Sequence, residues 1–285
     1  MNRLVFRTLF LFLCGTLLVS GPTQAARLDG LFQAEVDVAG RDSASRNAGL
    51  RKALALVLVR VTGSAGELDS LQARQILAQS DRYTDQFRFR QAPASGDSGQ
   101  QLRLWVQFDG VTLSRDVRDA GLPFWGADRP DVLVWMAIDD GSRRYLVSEG
   151  GGSVAGELLQ GQATRRGIPL MLPLMDLEDR SQVSFADVQG GFSSTLDEAA
   201  GRYRPAAQMI AALGPSASGT GWRGRWTLVE DSGAQHWDSH GVTLGNVVSR
   251  GFSEGADRLA LQYAYVASGG ESRQLTVEGI HGLND

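Results

Sequence analysis

The residues best placed by type and spacing to do chemistry are Asp176, Glu178 and Asp179, with Asp187 nearby. Carboxylates set this closely can share acid–base work or hold a divalent cation. They directly follow residues 169–174, which read as a strand, and in open α/β sheets ligands bind beyond the carboxyl ends of strands. Asp139 and Asp140 end another apolar strand in the same half of the chain, so the two acidic ends could converge. The plainer reading of these acidic residues is capping and solvation, since acidic side chains are favoured at helix amino termini.

Other motifs carry less. Gly96-Asp97-Ser98-Gly99 matches the nucleophile signature of chymotrypsin-like proteases over four residues. Those enzymes place a histidine upstream of the serine, whereas the first histidine here is His236, and the motif sits in a Gly/Ser-rich connection. His236-Trp237-Asp238-Ser239-His240 offers metal-ligand types, but on a strand residues four apart lie about 13 Å from each other, too far for one ion. Gly150-Gly151-Gly152-Ser153 precedes a helix without the lysine or spacing of a phosphate loop. Trp125, Trp222, Trp226 and Trp237 could form an exposed recognition surface, with packing as the ordinary alternative; Trp125 joins the acidic residues as a candidate interaction residue. No catalytic residue, metal site or cofactor is assigned.

These residues need elements to position them. Residues 31–38 alternate like a half-buried strand, and Leu50, Leu54, Val57, Leu58 and Val61 make one helical stripe that ends at Gly63. A shorter helix is expected over residues 69–79. Residues 83–91 and 101–109 alternate aromatic or aliphatic with polar positions and read as a hairpin. One face suits packing on the helices; the other carries Arg88, Arg90 and Arg103, a solvated face or a functional basic patch. The Gly- and Pro-rich stretch 121–130 marks a linker.

Beyond it, the continuous apolar run at residues 132–138 suits a strand covered on both faces. Helix, strand, two helices and a buried run at residues 206–213 follow, an α/β order with a partly parallel sheet. Residues 222–230 and 235–241 read as an antiparallel edge hairpin, with a last helix over residues 244–267. The expected fold class is therefore α/β: an α+β module at 27–126, then an α/β module at 130–268. Residues 269–285 would be a terminal strand or the start of an incomplete third unit.

The first 25 residues read as a cleaved secretory signal: basic Arg3 and Arg7, an apolar run, and a small-residue site ending at Ala25. Cleavage removes Cys14, the one cysteine of the 285 residues, so no disulfide can staple the mature chain. Without Arg3 and Arg7 the 28 basic residues become 26 against 32 acidic ones, a formal charge of −6 that gives no support to nucleic-acid binding.

Residues 26–31, 53–63, 121–126, Arg129-Pro130, 173–179 and 222–226 together resemble a family of secreted bacterial proteins catalogued as domain of unknown function 2066. The resemblance implies an envelope location and no catalytic residues. More distantly, the second module's element order looks like α/β modules of envelope accessory proteins, among them the amino-terminal domain of the Tol-system propeller protein and curli-secretion and flagellar-assembly components. The resulting expectation is a periplasmic, non-catalytic binding, accessory or scaffold protein with an envelope protein partner and no transmembrane segment after cleavage. The alternative is a carboxylate-dependent hydrolase or small-molecule-binding protein with its site at the strand ends of the second module.

Overall fold

A computed structural model describes residues 26–93, 100–217 and 219–266. The signal sequence, the Gly96–Gly99 motif and the terminal strand expected near residues 273–280 lie outside the described residues.

The first module starts with β1 (Ala26–Arg27) and β2 (Gln33–Asp37), whose buried Ala34 and Val36 alternate with outward Gln33, Glu35 and Asp37. The Asp42 carboxylate caps α1 (Ser43–Thr62) by accepting the Ser45 N–H at 2.9 Å, and Gly63 at φ 81 ends it, a left-handed turn that glycine adopts without strain. The helical stripe of Leu50, Leu54, Val57, Leu58 and Val61 is fully buried. After α2 (Leu71–Ala78) and α3 (Ser80–Tyr83), the hairpin β3 (Thr84–Pro93) and β4 (Gln100–Phe108) joins β2 in an antiparallel sheet of order β2-β4-β3. Its Leu104, Val106 and Phe108 close the core against α1, and α4 (Gly110–Asp119), capped by Asp109, covers one end.

The linker is not loose. β5 (Pro123–Phe124) pairs with β13 (Tyr265–Val266), and β6 (Asp128–Arg129) pairs with β1. The second module follows with β7 (Val132–Asp139), β8 (Arg144–Leu146), α5 (Val154–Arg166), β9 (Leu170–Met171), α6 (Leu177–Gln182), α7 (Phe185–Gly190), α8 (Ser193–Ala200), β10 (Ala207–Pro215), β11 (Trp222–Glu230), β12 (Gly233–Gly241) and α9 (Leu244–Tyr263). The sheet order is β12-β11-β10-β7-β8, with β9 beside the start of β7. β7 runs parallel to β10 and β9, and the remaining pairs are antiparallel, so the sheet is mixed as its α/β element order implies.

β7 explains why its sequence is apolar throughout. Val132, Val134, Met136 and Ile138 face α5 and α9, while Leu133, Trp135 and Ala137 face α7, α8 and Met175 and Val183 on either side of α6. The strand expected over residues 169–174 shrinks to Leu170–Met171, because the flanking Pro169 and Pro173 have no N–H to give a ladder.

Three buried arginines join the modules. Helices leave their last carbonyls without intrahelical partners, and the carboxyl ends of α1 and α5 meet here. Fully buried Arg129 donates to the carbonyls of Arg60 (2.5 Å), Trp125 (3.1 Å), Gly126 (3.0 Å), Arg166 (3.2 Å) and Gly167 (3.0 Å). Arg166 donates to the Gly63 carbonyl at 2.6 Å and pairs with Asp257 at 2.5 Å. Arg60 donates to the carbonyls of Gln33 and Arg165. A planar five-donor cation suits such a cluster of orphan carbonyls, and the negative ends of two helix dipoles offset part of its burial cost.

Candidate functional site

The acidic residues singled out from sequence form two separate groups. Asp176 caps α6, accepting the N–H groups of Glu178 and Asp179 at 3.1 Å each. The Arg202 guanidinium forks onto its carboxylate at 2.9 and 3.0 Å, and together these donors hold the Asp176 carboxyl down to about 2. Asp179 is only 1% exposed and accepts from the Tyr203 hydroxyl (2.6 Å), the Met175 N–H (2.7 Å) and Arg202 (3.0 Å). Burial and that hydrogen bond push the Tyr203 phenol up to about 12. Glu178 is mostly solvated, 3.5 Å from Arg202. Asp187 closes a capping box with Ser184 at the start of α7.

Asp139 and Asp140 end β7 instead. Asp139 pairs with Arg144 at 2.8 Å across the β7–β8 ladder, and Asp140 takes the Ser142 hydroxyl and the N–H groups of Ser142 and Arg143. The Gly141 N–H and Arg144 lower the Asp139 carboxyl, and the turn donors, Ser142 first, hold Asp140 well below the usual carboxylate range. Among the described residues no hydrogen bond or ion pair joins this group to Asp176, Glu178 or Asp179. Acid–base catalysis by a carboxyl pair needs one member held protonated; Asp139, Asp140 and Asp176 are all shifted toward the ionised form. Burial does raise Asp131 and Glu230.

Trp125 is corrected as a surface residue. It is 2% exposed, stacked on Tyr263 at 6.2 Å with Arg129 4.2 Å from its ring, and its N–H meets no acceptor among the described residues. The position lies in the seam between modules, where an indole fills the gap beside the arginines. Trp226 is likewise buried, stacked on Trp237 and donating to the Ser239 hydroxyl at 2.8 Å. His236 and His240 lie on β12 as the strand reading requires, His236 opposite Thr227 and His240 opposite Arg223. No group of three His, Cys, Asp or Glu among the described residues is placed to hold a metal ion, and no described helix is long and apolar enough to cross a membrane.

A wide recess lies between the modules. The sheet face turned away from α1 carries a three-by-three grid set by strand register: Gln33–Gln107–Gln86, Glu35–Trp105–Arg88 and Asp37–Arg103–Arg90. β2 supplies an acidic column and β3 a basic one. Arg103 pairs with Asp37 at 3.2 Å and Glu35 at 3.7 Å, and Arg90 reaches Glu35 at 3.8 Å. Arg88 and Arg90 lie 5.6 and 5.4 Å from the Trp105 ring centroid. Across the gap stands the polar side of α5, with Gln160 and Thr164. The two walls enclose lobes of about 620 and 450 Å³ that share Glu35, Arg60, Gln160 and Thr164. Beside apolar Leu28, Leu56, Ile168 and Leu170, the walls offer amides, guanidiniums, carboxylates and one indole, a set suited to apolar contact, hydrogen bonding and stacking. Strand alternation points to Arg88, Arg90 and Arg103; spacing along the chain has no means of placing α5 opposite them.

Residues 25–126 match a domain of unknown function (DUF8605). The match ends at the linker and leaves the larger second module outside it. No curated protein and no solved structure matches the chain. The resemblance to domain of unknown function 2066 is thereby corrected: the matching family is a different one, and nothing supports the other.

Proposed function

We propose that the protein is a non-catalytic binding protein of the cell envelope that takes a segment of a partner protein into the cleft between its modules. One observation carries the reading: two separately cored modules are fastened by the buried arginine cluster so that the Trp105 side of the sheet and α5 face each other across a cleft of mixed polar and apolar lining. Aromatic and arginine side chains dominate binding energy at protein interfaces, and Trp105 is flanked by two arginines. A cleft whose two walls belong to different cores gives a partner segment contacts on both sides. Export rests on the amino-terminal signal, with its Arg3, Arg7 and apolar run. The carboxylate-dependent hydrolase gains no support from Asp139, Asp140 and Asp176, each engaged by its own donors and favoured in the ionised form.

The test is Trp105→Ala in the full chain, expressed in its native cell with crosslinking in place. A central interface tryptophan is worth about 2 kcal/mol or more, roughly thirtyfold in affinity. Loss of one stoichiometric envelope partner with an unchanged urea midpoint supports the reading. Undiminished capture of the same partner removes the cleft from it.

A further inference from the structure

The three short helices α6–α8 cover only part of their face of the second sheet. Their core contacts fall on Leu133, Trp135 and Ala137 of β7, Ile210 of β10 and Val229 near one end of β11, which leaves the same face uncovered around Arg225 and Thr227 of β11 and His236 and Asp238 of β12. The result is a groove of two lobes, about 390 and 240 Å³, joined at Gln189, Ala212 and Arg225. It lies at the carboxyl ends of the parallel pair β7 and β10, with Ala137 and Asp139 from one and Ala212 to Pro215 from the other. That end of an open α/β sheet is where ligands generally bind.

Its lining carries Arg223 and Arg225 against Asp139 and Asp238, with Arg225 directly across the β11–β12 ladder from Asp238. Asp139 and Asp238 are the carboxylates on its lining, and each has its own arginine: Asp139 with Arg144 at 2.8 Å, Asp238 with Arg223 at 3.1 Å. Arg225, at the junction of the lobes, forms no ion pair among the described residues. Its Nη2 donates to the Gln189 carbonyl at 2.7 Å, which fixes the guanidinium and uses one of its five donors. Beside it the Thr227 hydroxyl and the His236 Nδ1 lie 2.9 Å apart, so the other imidazole nitrogen is available to a ligand.

We propose that this groove binds a small multivalent oxyanion, carboxylate or phosphate in kind, with Arg225 as its anchor. A planar guanidinium already held by one carbonyl presents its remaining donors in the fork that matches either group. The site is separate from the cleft between the modules and does not depend on that cleft binding anything.

The test is calorimetric titration of the purified full chain with citrate and with pyrophosphate at constant ionic strength. The expected result is one-to-one binding of at least one of them below millimolar. Arg225→Gln should weaken it tenfold or more, Arg225→Lys should be intermediate, and Arg74→Gln on the exposed side of α2 should leave it unchanged. Citrate alone binding marks a carboxylate ligand, pyrophosphate alone a phosphate. Arg225 is solvent-facing, so the variants are compared at equal urea midpoint. Absence of millimolar binding of either anion overturns the proposal, as does equal binding by Arg225→Gln.

Discussion

Replacing Arg129 with methionine should loosen the whole molecule. Methionine fills much of the same space but gives no hydrogen bond, so the carbonyls of Arg60, Trp125, Gly126, Arg166 and Gly167 lose their shared donor. Hydrogen bonds to a charged group contribute about 1.5–3 kcal/mol each, so five would amount to roughly 10 kcal/mol in gross terms. Against this stands the cost of burying a cation, several kcal/mol, increased by repulsion. Burial, and then Arg60 and Arg166, push the Arg129 guanidinium down to about 9, still charged at neutral pH. Breaking such a buried network costs about 3–5 kcal/mol net, a large share of the roughly 5–15 kcal/mol that holds a domain folded. Urea unfolding followed by tryptophan fluorescence, with Trp125 in the seam as a local reporter, should show a lowered midpoint and a transition split in two as the modules uncouple. Arg129→Lys keeps the charge but not the fork and should fall between. A methionine variant within about 1 kcal/mol of the parent, unfolding in a single step, would refute the assignment of the seam to Arg129.

Three further outcomes are expected. Asp179→Ala strands the Tyr203 hydroxyl, the Met175 N–H and Arg202, and should cost about 3–5 kcal/mol in urea unfolding; a loss below about 1 kcal/mol would mean that water replaces the carboxylate. Asp176, held at about 2 against an ordinary 3.8, contributes stability that is present above about pH 4 and lost as pH falls through about 2. The urea midpoint should therefore fall less steeply between about pH 4 and 2 in Asp176→Asn than in the parent, and parallel profiles would exclude that pairing. Gly251→Ala places a methyl inside the radius of the buried Trp226 indole and should destabilise by about 1–3 kcal/mol with altered tryptophan fluorescence; a neutral effect would show that α9 can slide on the sheet.

Elements with strong local signals are legible in the amino-acid sequence itself. The α1 stripe, the β3–β4 alternation and the two-faced burial of β7 follow from period and apolar run alone, because burial there is decided within one element. What depends on distant partners is not legible in the same way. Trp125 looks like a surface aromatic in a Gly/Pro linker until β5 pairs with β13 and brings Tyr263 over it. Arg60, Arg129 and Arg166 are three ordinary arginines until the carboxyl ends of two helices meet. Asp176 carries the residue type of a helix cap and is one, and Ser184 and Asp187 stand at the spacing of a capping box, yet the pairing of Asp176 with Arg202 lies in geometry, not spacing. The cleft is hidden from the sequence for the same reason, since five of the twelve residues lining its larger lobe come from α5, far along the chain from the grid.

The central claim is that the cleft between the modules holds a partner segment in the envelope. A photoreactive residue at Gln160, on the α5 wall, tests it most directly when crosslinked in living cells and analysed after fractionation. The expected result is one dominant crosslinked envelope protein that disappears on Trp105→Ala and persists on Arg225→Gln. A crosslink pattern unchanged by Trp105→Ala, or a full-length precursor retained in the cytosolic fraction, would contradict it.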